Sequence, residues 1–356
     1  MFVKRDLRKI PRILSDANSA LETPPSTEPR TPNEIDEESK KQILTSLRLS
    51  RRSAEFDGSL SILCQPSNLF TLRNLRSLNV YDCNITSLDD ISVLAPIPDG
   101  TEGCFDLQEL NVGRNPITSL PSDLAKFPLV SLWCDDCKIK GVVPSCIAEM
   151  TQLKLLRMSC NEIDEIPKEL GEKLKNSLEV LCLDGNKIEN VPIEIGHMEY
   201  LKSLLLRQNL IKTLPEGVPG KRNTSLTLLH VSSNQLTHLP NSIVECPSLT
   251  HVYANTNRIG SIPTNFGANL VNLVKLNISS NLIDEDGVSN DFWDRFGKFD
   301  VITGECVKDS SCHVMMSRNP IVDKEVALLK ESESNKNKSS NAGNEDGVQP
   351  MEIAAN

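Results

Sequence analysis

One pattern, Leu-x-x-Leu-x-Leu-x-x-Asn/Cys-x-Leu, recurs nine times from Leu75 onward, at steps of mostly 22 to 25 residues. LRSLNVYDCNITSL from Leu75, LVSLWCDDCKIKGVVP from Leu129 and LEVLCLDGNKIENVP from Leu178 show it. A unit this short cannot bury an apolar face by itself, so the copies must stack and share one core. Alternation sets positions 4 and 6 on one face of a short strand and positions 3, 5 and 7 on the other. Position 9, where the chain turns inward, needs a small polar group to satisfy buried backbone. Asn115, Asn161, Asn186, Asn209, Asn234, Asn257 and Asn281 occupy it, with Cys83 and Cys137 as substitutes.

Most copies add an apolar residue and a proline, as in Leu120-Pro121, Val191-Pro192 and Leu239-Pro240. A degenerate tenth copy starts at Ser311, and LTSLRLSRRSA from Leu44 reads as an N-terminal cap copy. The whole resembles the leucine-rich repeat family over about residues 44 to 325. The LPxxI-type ending is similar to the cytosolic Ras-group subclass, which includes Ras-pathway scaffolds and plant intracellular Ras-group-related proteins. The resemblance implies an α/β solenoid, a horseshoe with about ten parallel strands on the concave face and short helical or irregular convex segments. As partner class it implies a small GTPase or a phosphatase complex.

Two steps are longer. Residues 89 to 106 stretch the first, and residues 284 to 310 separate the ninth copy from the tenth. Both are expected to bulge without breaking the stack. Phe292, Trp293, Phe296 and Phe299 in the second are read as a C-terminal cap over the last layer. Residues 1–43 read as a basic segment and a disordered linker, 44–325 as the repeat domain with its caps, and 326–356 as a disordered tail. In the first 14 residues, Val3, Leu7, Ile10 and Leu14 share a helical face among basic residues. Such a stretch suits a frayed charged terminus, a membrane or partner contact, or a transit peptide.

Composition narrows the function. A net charge of -10 and a pI near 5.2 argue against nucleic-acid binding, and no apolar run reaches the roughly 20 residues of a membrane span. No stable membrane insertion is expected. Without a recognisable signal peptide, the eleven cysteines read as reduced thiols of a cytoplasmic protein, and sequons such as Asn84 and Asn223 are expected to be silent.

Cys134-Asp135-Asp136-Cys137 could be a redox pair or half of a zinc site. It lacks a second ligand pair and a following helix, so register decides: Cys134 is an inward position 6 and Cys137 the turn position. His230, His251 and His313 would need a third group to hold a metal, and Cys182 lies two strands from His230, roughly 10 Å away. No cofactor and no enzymatic activity are expected. The concave face remains. Position 5 presents Trp133, Arg157, Cys182, Leu205, His230 and Tyr253 in the centre with Asn on both flanks, and position 7 adds Asp135, Asp184 and Arg207. Exposed aromatics and Arg ringed by charge have the composition of a protein-binding hot spot, so Trp133, Asp135, Arg157, Asp184, Leu205, Arg207, His230 and Tyr253 are the expected partner-binding residues. The sequence therefore reads as a non-catalytic, possible signalling scaffold. Its rival is the regulatory or substrate-recognition subunit of a larger enzyme assembly, a phosphatase, kinase or ubiquitin ligase.

Overall fold

A computed structural model describes residues 45–51, 56–65, 72–96, 106–306 and 311–342. The readings of residues 1–43 and 343–356 lie outside the described residues. Each copy of the repeat contributes one three-residue strand: β1 (Ser46–Arg48), β2 (Ser77–Asn79), β3 (Glu109–Asn111) and β4 (Ser131–Trp133). After a short strand on the other side of the layer, β5 (Lys140–Val142), come β6 (Leu155–Arg157) and β7 (Glu162–Glu165), which pairs with β5. The row continues with β8 (Val180–Cys182), β9 (Ser203–Leu205), β10 (Leu228–His230), β11 (His251–Tyr253) and β12 (Lys275–Asn277). It ends with β13 (Glu305–Cys306) and β14 (His313–Met315). All of these but β5 and β7 form one 12-stranded sheet, parallel throughout except for β13 against β14.

The register is the same at every step. Position 4 meets position 4, as in Leu156, Leu181 and Leu204, and all of these side chains are buried. Beyond the strands the ladder continues through the turn. The position-8 residue of every copy from Arg51 to Arg318 is left-handed, with φ between 54° and 67°, and only Gly185 among them is glycine. That conformation is unfavourable for residues with a Cβ. It aims the position-8 N–H at the position-7 carbonyl of the next copy, as in Asp136 to Ser159 (2.7 Å) and Gln208 to Ser232 (2.9 Å).

The conserved geometry of position 9 follows from one amide doing three jobs. The Nδ2 of Asn161 donates to the carbonyls of Cys134 and Met158, while its Oδ1 accepts from Ile139 N–H. Asn186, Asn209 and Asn281 repeat this in their own copies. On the convex side, prolines at the expected places lead into single helical turns: Pro121 before Ser122–Lys126, Pro192 before Ile193–His197 and Pro240 before Asn241–Glu245. A proline fixes the φ that such a turn needs. These segments press closely together. A Cβ on Gly196 would stand 2.0 Å from the Gly217 carbonyl oxygen, so no larger residue fits there without moving backbone.

Both long steps leave the stack intact, since β2 pairs in register with β3 and β12 with β14. Of the aromatics in the second, Phe299 is buried and bridges Cys306 of β13 at the edge of the sheet, whereas two others lie elsewhere than expected. Phe292 and Phe296, in the helix Asn290–Phe296, are buried in the convex layer, Phe292 6.4 Å from the ring of Phe266. What closes the far edge of the sheet is β13, which folds back antiparallel on β14. The tail also departs from expectation, because helix Pro320–Ala342 runs well past residue 326. Its first turn is anchored by buried Ile321 and Val322 and by Lys324 on Glu285 (3.0 Å), and Ala327-Leu328-Leu329-Lys330-Glu331 that follow are good helix formers. Asn223 is 2% exposed and its amide donates to the Ile195 and Met198 carbonyls, so this sequon is a packing residue.

Candidate interaction face

Strand pairing places Asn111, Trp133, Arg157, Cys182, Leu205, His230, Tyr253 and Asn277 in one continuous row across the concave sheet. Arg157 is exposed, and Trp133, Leu205, His230 and Tyr253 are half-buried. Cys182 is the exception. At 3% exposure it is sunk between the longer Arg157 and Leu205, with its sulfur 3.0 Å from Ser159 Oγ.

The polar residues of the face divide by the backbone group each one satisfies. In the flanking copies Asn79, Asn111 and Asn277 accept the N–H two residues ahead, that of Tyr81, Gly113 and Ser279. In the centre an aspartate of the preceding copy takes this over. Ser159 N–H donates to Asp135 Oδ1 (2.8 Å) and Arg207 N–H to Asp184 Oδ1 (2.6 Å). Position 5 is thereby released from a structural duty in those two copies, and there it holds Arg157 and Leu205. The second oxygen of Asp135 fixes Arg157, with Nε at 2.9 Å. Burial raises the Asp184 carboxyl above the usual carboxylate range, opposed by the Arg207 N–H bond and by the charges of His230, Arg207 and Arg157. Burial also lowers the His230 imidazole, against the pull of Asp184.

Two residues that the position-5 reading omitted join this group. The ring of Tyr253 lies 5.1 Å from His230 and 6.3 Å from His251, and Lys275 Nζ stands 5.6 Å from its centroid. His251 and Lys275 are position-3 residues. The alternation already put position 3 on this face, so the signal was present in the sequence.

The Cys134 side chain is fully buried in the core, and burial pushes its thiol well above the ordinary range. Cys137 takes the turn, its sulfur 3.7 Å from the Val112 carbonyl, and burial raises it to about 11. At both positions burial thus disfavours the thiolate that a nucleophile or a metal ligand needs. Among the described residues no cluster of three or more His, Cys, Asp or Glu could hold a metal ion. Cysteine cannot supply the acceptor that asparagine offers at position 9, and Ile117 N–H bonds the Asn115 carbonyl instead (2.7 Å). Cys137→Asn is therefore expected to leave the melting temperature unchanged or raise it slightly. A drop of several degrees in a thermal unfolding scan, or stoichiometric zinc in the purified protein, would contradict this account of the pair.

The fold these elements define is the leucine-rich repeat solenoid. A Leucine rich repeat family profile matches residues 199–259. Over 145 residues, 37% of the chain, the sequence is 30% identical to the Disease resistance protein RPS4B of Arabidopsis thaliana, and the match spans 12% of that protein. Among solved structures it is similar to the leucine-rich repeat protein LIC12759 of Leptospira interrogans, with 26% identity and a TM-score of 0.63 over 78% of this chain and 67% of that one. It is also similar to the Arabidopsis receptor kinase HAESA, solved in complex with the peptide hormone IDA and the co-receptor SERK1, with 25% identity and a TM-score of 0.55 over 68% of this chain and 39% of that one. These likenesses support the leucine-rich repeat family. No helix among the described residues is long and apolar enough to cross a membrane.

Proposed function

We propose that this protein is a non-catalytic signalling scaffold of the cytoplasm that receives a protein partner on its concave face. The observation that carries the reading is the single row in which Trp133, Arg157, Leu205, His230 and Tyr253, from five of six neighbouring strands, stand at the surface of the sheet, with sunken Cys182 on the sixth. Large side chains half in water are costly to maintain unless a partner covers them, and Trp, Tyr and Arg dominate the energetics of such contacts. Asp135, Asp184 and Arg207 belong to the same surface and set its charge. HAESA, crystallised with a peptide hormone and a co-receptor, supports protein and peptide binding by a solenoid of this kind. The LPxxI-type endings favour the Ras-group subclass, and with it a small GTPase or a phosphatase complex as partner class. That no two of the ten described cysteines are joined in a disulfide favours a reducing compartment.

The test is capture of partners from cell extract with intact protein and three variants. Trp133→Ala and Arg157→Ala should leave stability within about 1 kcal/mol, since neither side chain fills a core layer, yet weaken partner binding by about 2 kcal/mol or more. Glu169→Ala, on the exposed convex helix Lys168–Leu174, should alter neither. If the first two bind every partner as wild type does while Glu169→Ala fails, the interaction surface is convex and the reading is wrong.

A further inference from the structure

The concave face is electrically divided. At positions 3, 5, 7 and 8, the copies with strands β2, β3, β4, β6 and β8 carry Asp82, Glu109, Asp135, Asp136 and Asp184 against only Arg114 and Arg157. Most of these groups already have partners. Arg114 lies 3.8 Å from Asp82 and 3.9 Å from Asp136, Arg157 is held by Asp135, and Asp135 and Asp184 each accept a backbone N–H.

The copies with strands β9 to β12 and β14 have no Asp or Glu at any of those positions. Their ionisable groups are Arg207, Lys275 and Arg318, with His230, His251 and His313, and most of positions 7 and 8 there are Ser, Thr, Asn or Gln. His313 meets Glu305 of the edge strand at 3.0 Å, and Asp184 borders the region from β8. Among the described residues neither the exposed Arg207 guanidinium nor Lys275 forms an ion pair; Lys275 stands across from His251 and His313 in the strand register and over the Tyr253 ring. Five strands cover about 20 Å at the usual strand spacing. In a chain of net charge -10, a stretch whose one carboxylate, Glu305, lies at its edge against His313 attracts a ligand of the opposite sign.

We propose that the part of the concave face from β9 to β14 docks an acidic peptide segment of a protein partner, its carboxylates against Arg207 and Lys275 and an apolar side chain against Leu205 and Tyr253. This rests on the reading that the concave face binds a protein, and adds the chemistry of what is bound. An extended segment suits the geometry, because the basic groups come from successive strands rather than from one point.

The probes are a short fluorescent peptide alternating Glu with Ser around one Leu, its counterpart with Gln for Glu, and inorganic phosphate. Each is titrated with the full chain by fluorescence anisotropy or competition. The acidic peptide should bind, weaken as salt rises toward about 0.15 M, and lose at least about tenfold in affinity when Gln replaces Glu. Arg207→Glu combined with Lys275→Glu should cost at least about tenfold, and the milder Arg207→Gln with Lys275→Gln should show the same direction if charge reversal impairs folding. Arg114→Glu, in the acidic half, should stay within about twofold of wild type.

Equal binding of the Gln peptide, an unaffected Arg207 and Lys275 variant, or displacement by phosphate as readily as by unlabelled peptide would each overturn the inference. If the acidic peptide fails to bind while capture of a cellular partner still depends on Trp133, the inference falls and the broader reading stands. A captured partner indifferent to Trp133, Arg157, Arg207 and Lys275 alike removes both.

Discussion

Leu181→Ala is expected to lower the unfolding free energy by about 2 to 5 kcal/mol. Leu181 is fully buried at position 4 of its copy, in register between Leu156 and Leu204. Truncation removes apolar surface from the core and leaves a cavity that the stack cannot close, because the strand ladder on one side and the convex turns on the other fix the distance between layers. In a solenoid each copy leans on its neighbours, so the loss is felt on both sides of the altered layer. Partner binding should change only in proportion to the folded protein lost. Denaturant unfolding that places Leu181→Ala within about 0.5 kcal/mol of Glu169→Ala, the range of an ordinary surface substitution, would contradict the packing described for this core.

The second large effect belongs to the turn. Asn186→Ala should cost about 1 to 3 kcal/mol, because truncation leaves the Ile163 N–H without its acceptor and removes one of the two amide donors on each of the Met158 and Leu183 carbonyls, which keep Asn161 and Asn209. Asn186 Nδ2 donates to the Met158 and Leu183 carbonyls at 3.0 Å each, and its Oδ1 accepts Ile163 N–H at 3.1 Å. The residue is 7% exposed, so water has little room to replace the amide. Asn186→Cys keeps one weak donor, as Cys137 does in its own copy, and should fall between alanine and wild type. A loss below about 1 kcal/mol for the alanine variant would mean that the turns are held by the strand ladder alone.

Much of this architecture was legible because the repeat is a constraint on every copy at once. Fixing the register of one copy fixed which of Leu181 and Cys182 points inward, where Asn186 turns, and which residues share a row with Trp133. What stayed hidden depends on contacts between neighbours of unequal size or on the backbone itself. Cys182 has the face position but not the exposure, since Arg157 and Leu205 flank a short side chain. The backbone duty of Asp135 and Asp184 cannot be seen without knowing that position 7 of the next copy presents an N–H to them. Gly196 looked like any glycine until the Gly217 carbonyl was placed against it. The aromatic helix Asn290–Phe296 was read as a cap from composition alone, and composition does not say on which side of a layer a helix packs.

The central claim is that the partner sits on the concave row, and site-specific photo-cross-linking reads this directly. A photoreactive amino acid is placed at Tyr253, on strand β11 of the concave sheet, or at Ile193, which is 49% exposed on the convex turn Ile193–His197. Both variants are irradiated with the partner recovered from cell extract. The account predicts a cross-linked partner from position 253 and none from position 193. A partner that cross-links from position 193 and not from position 253 contradicts it.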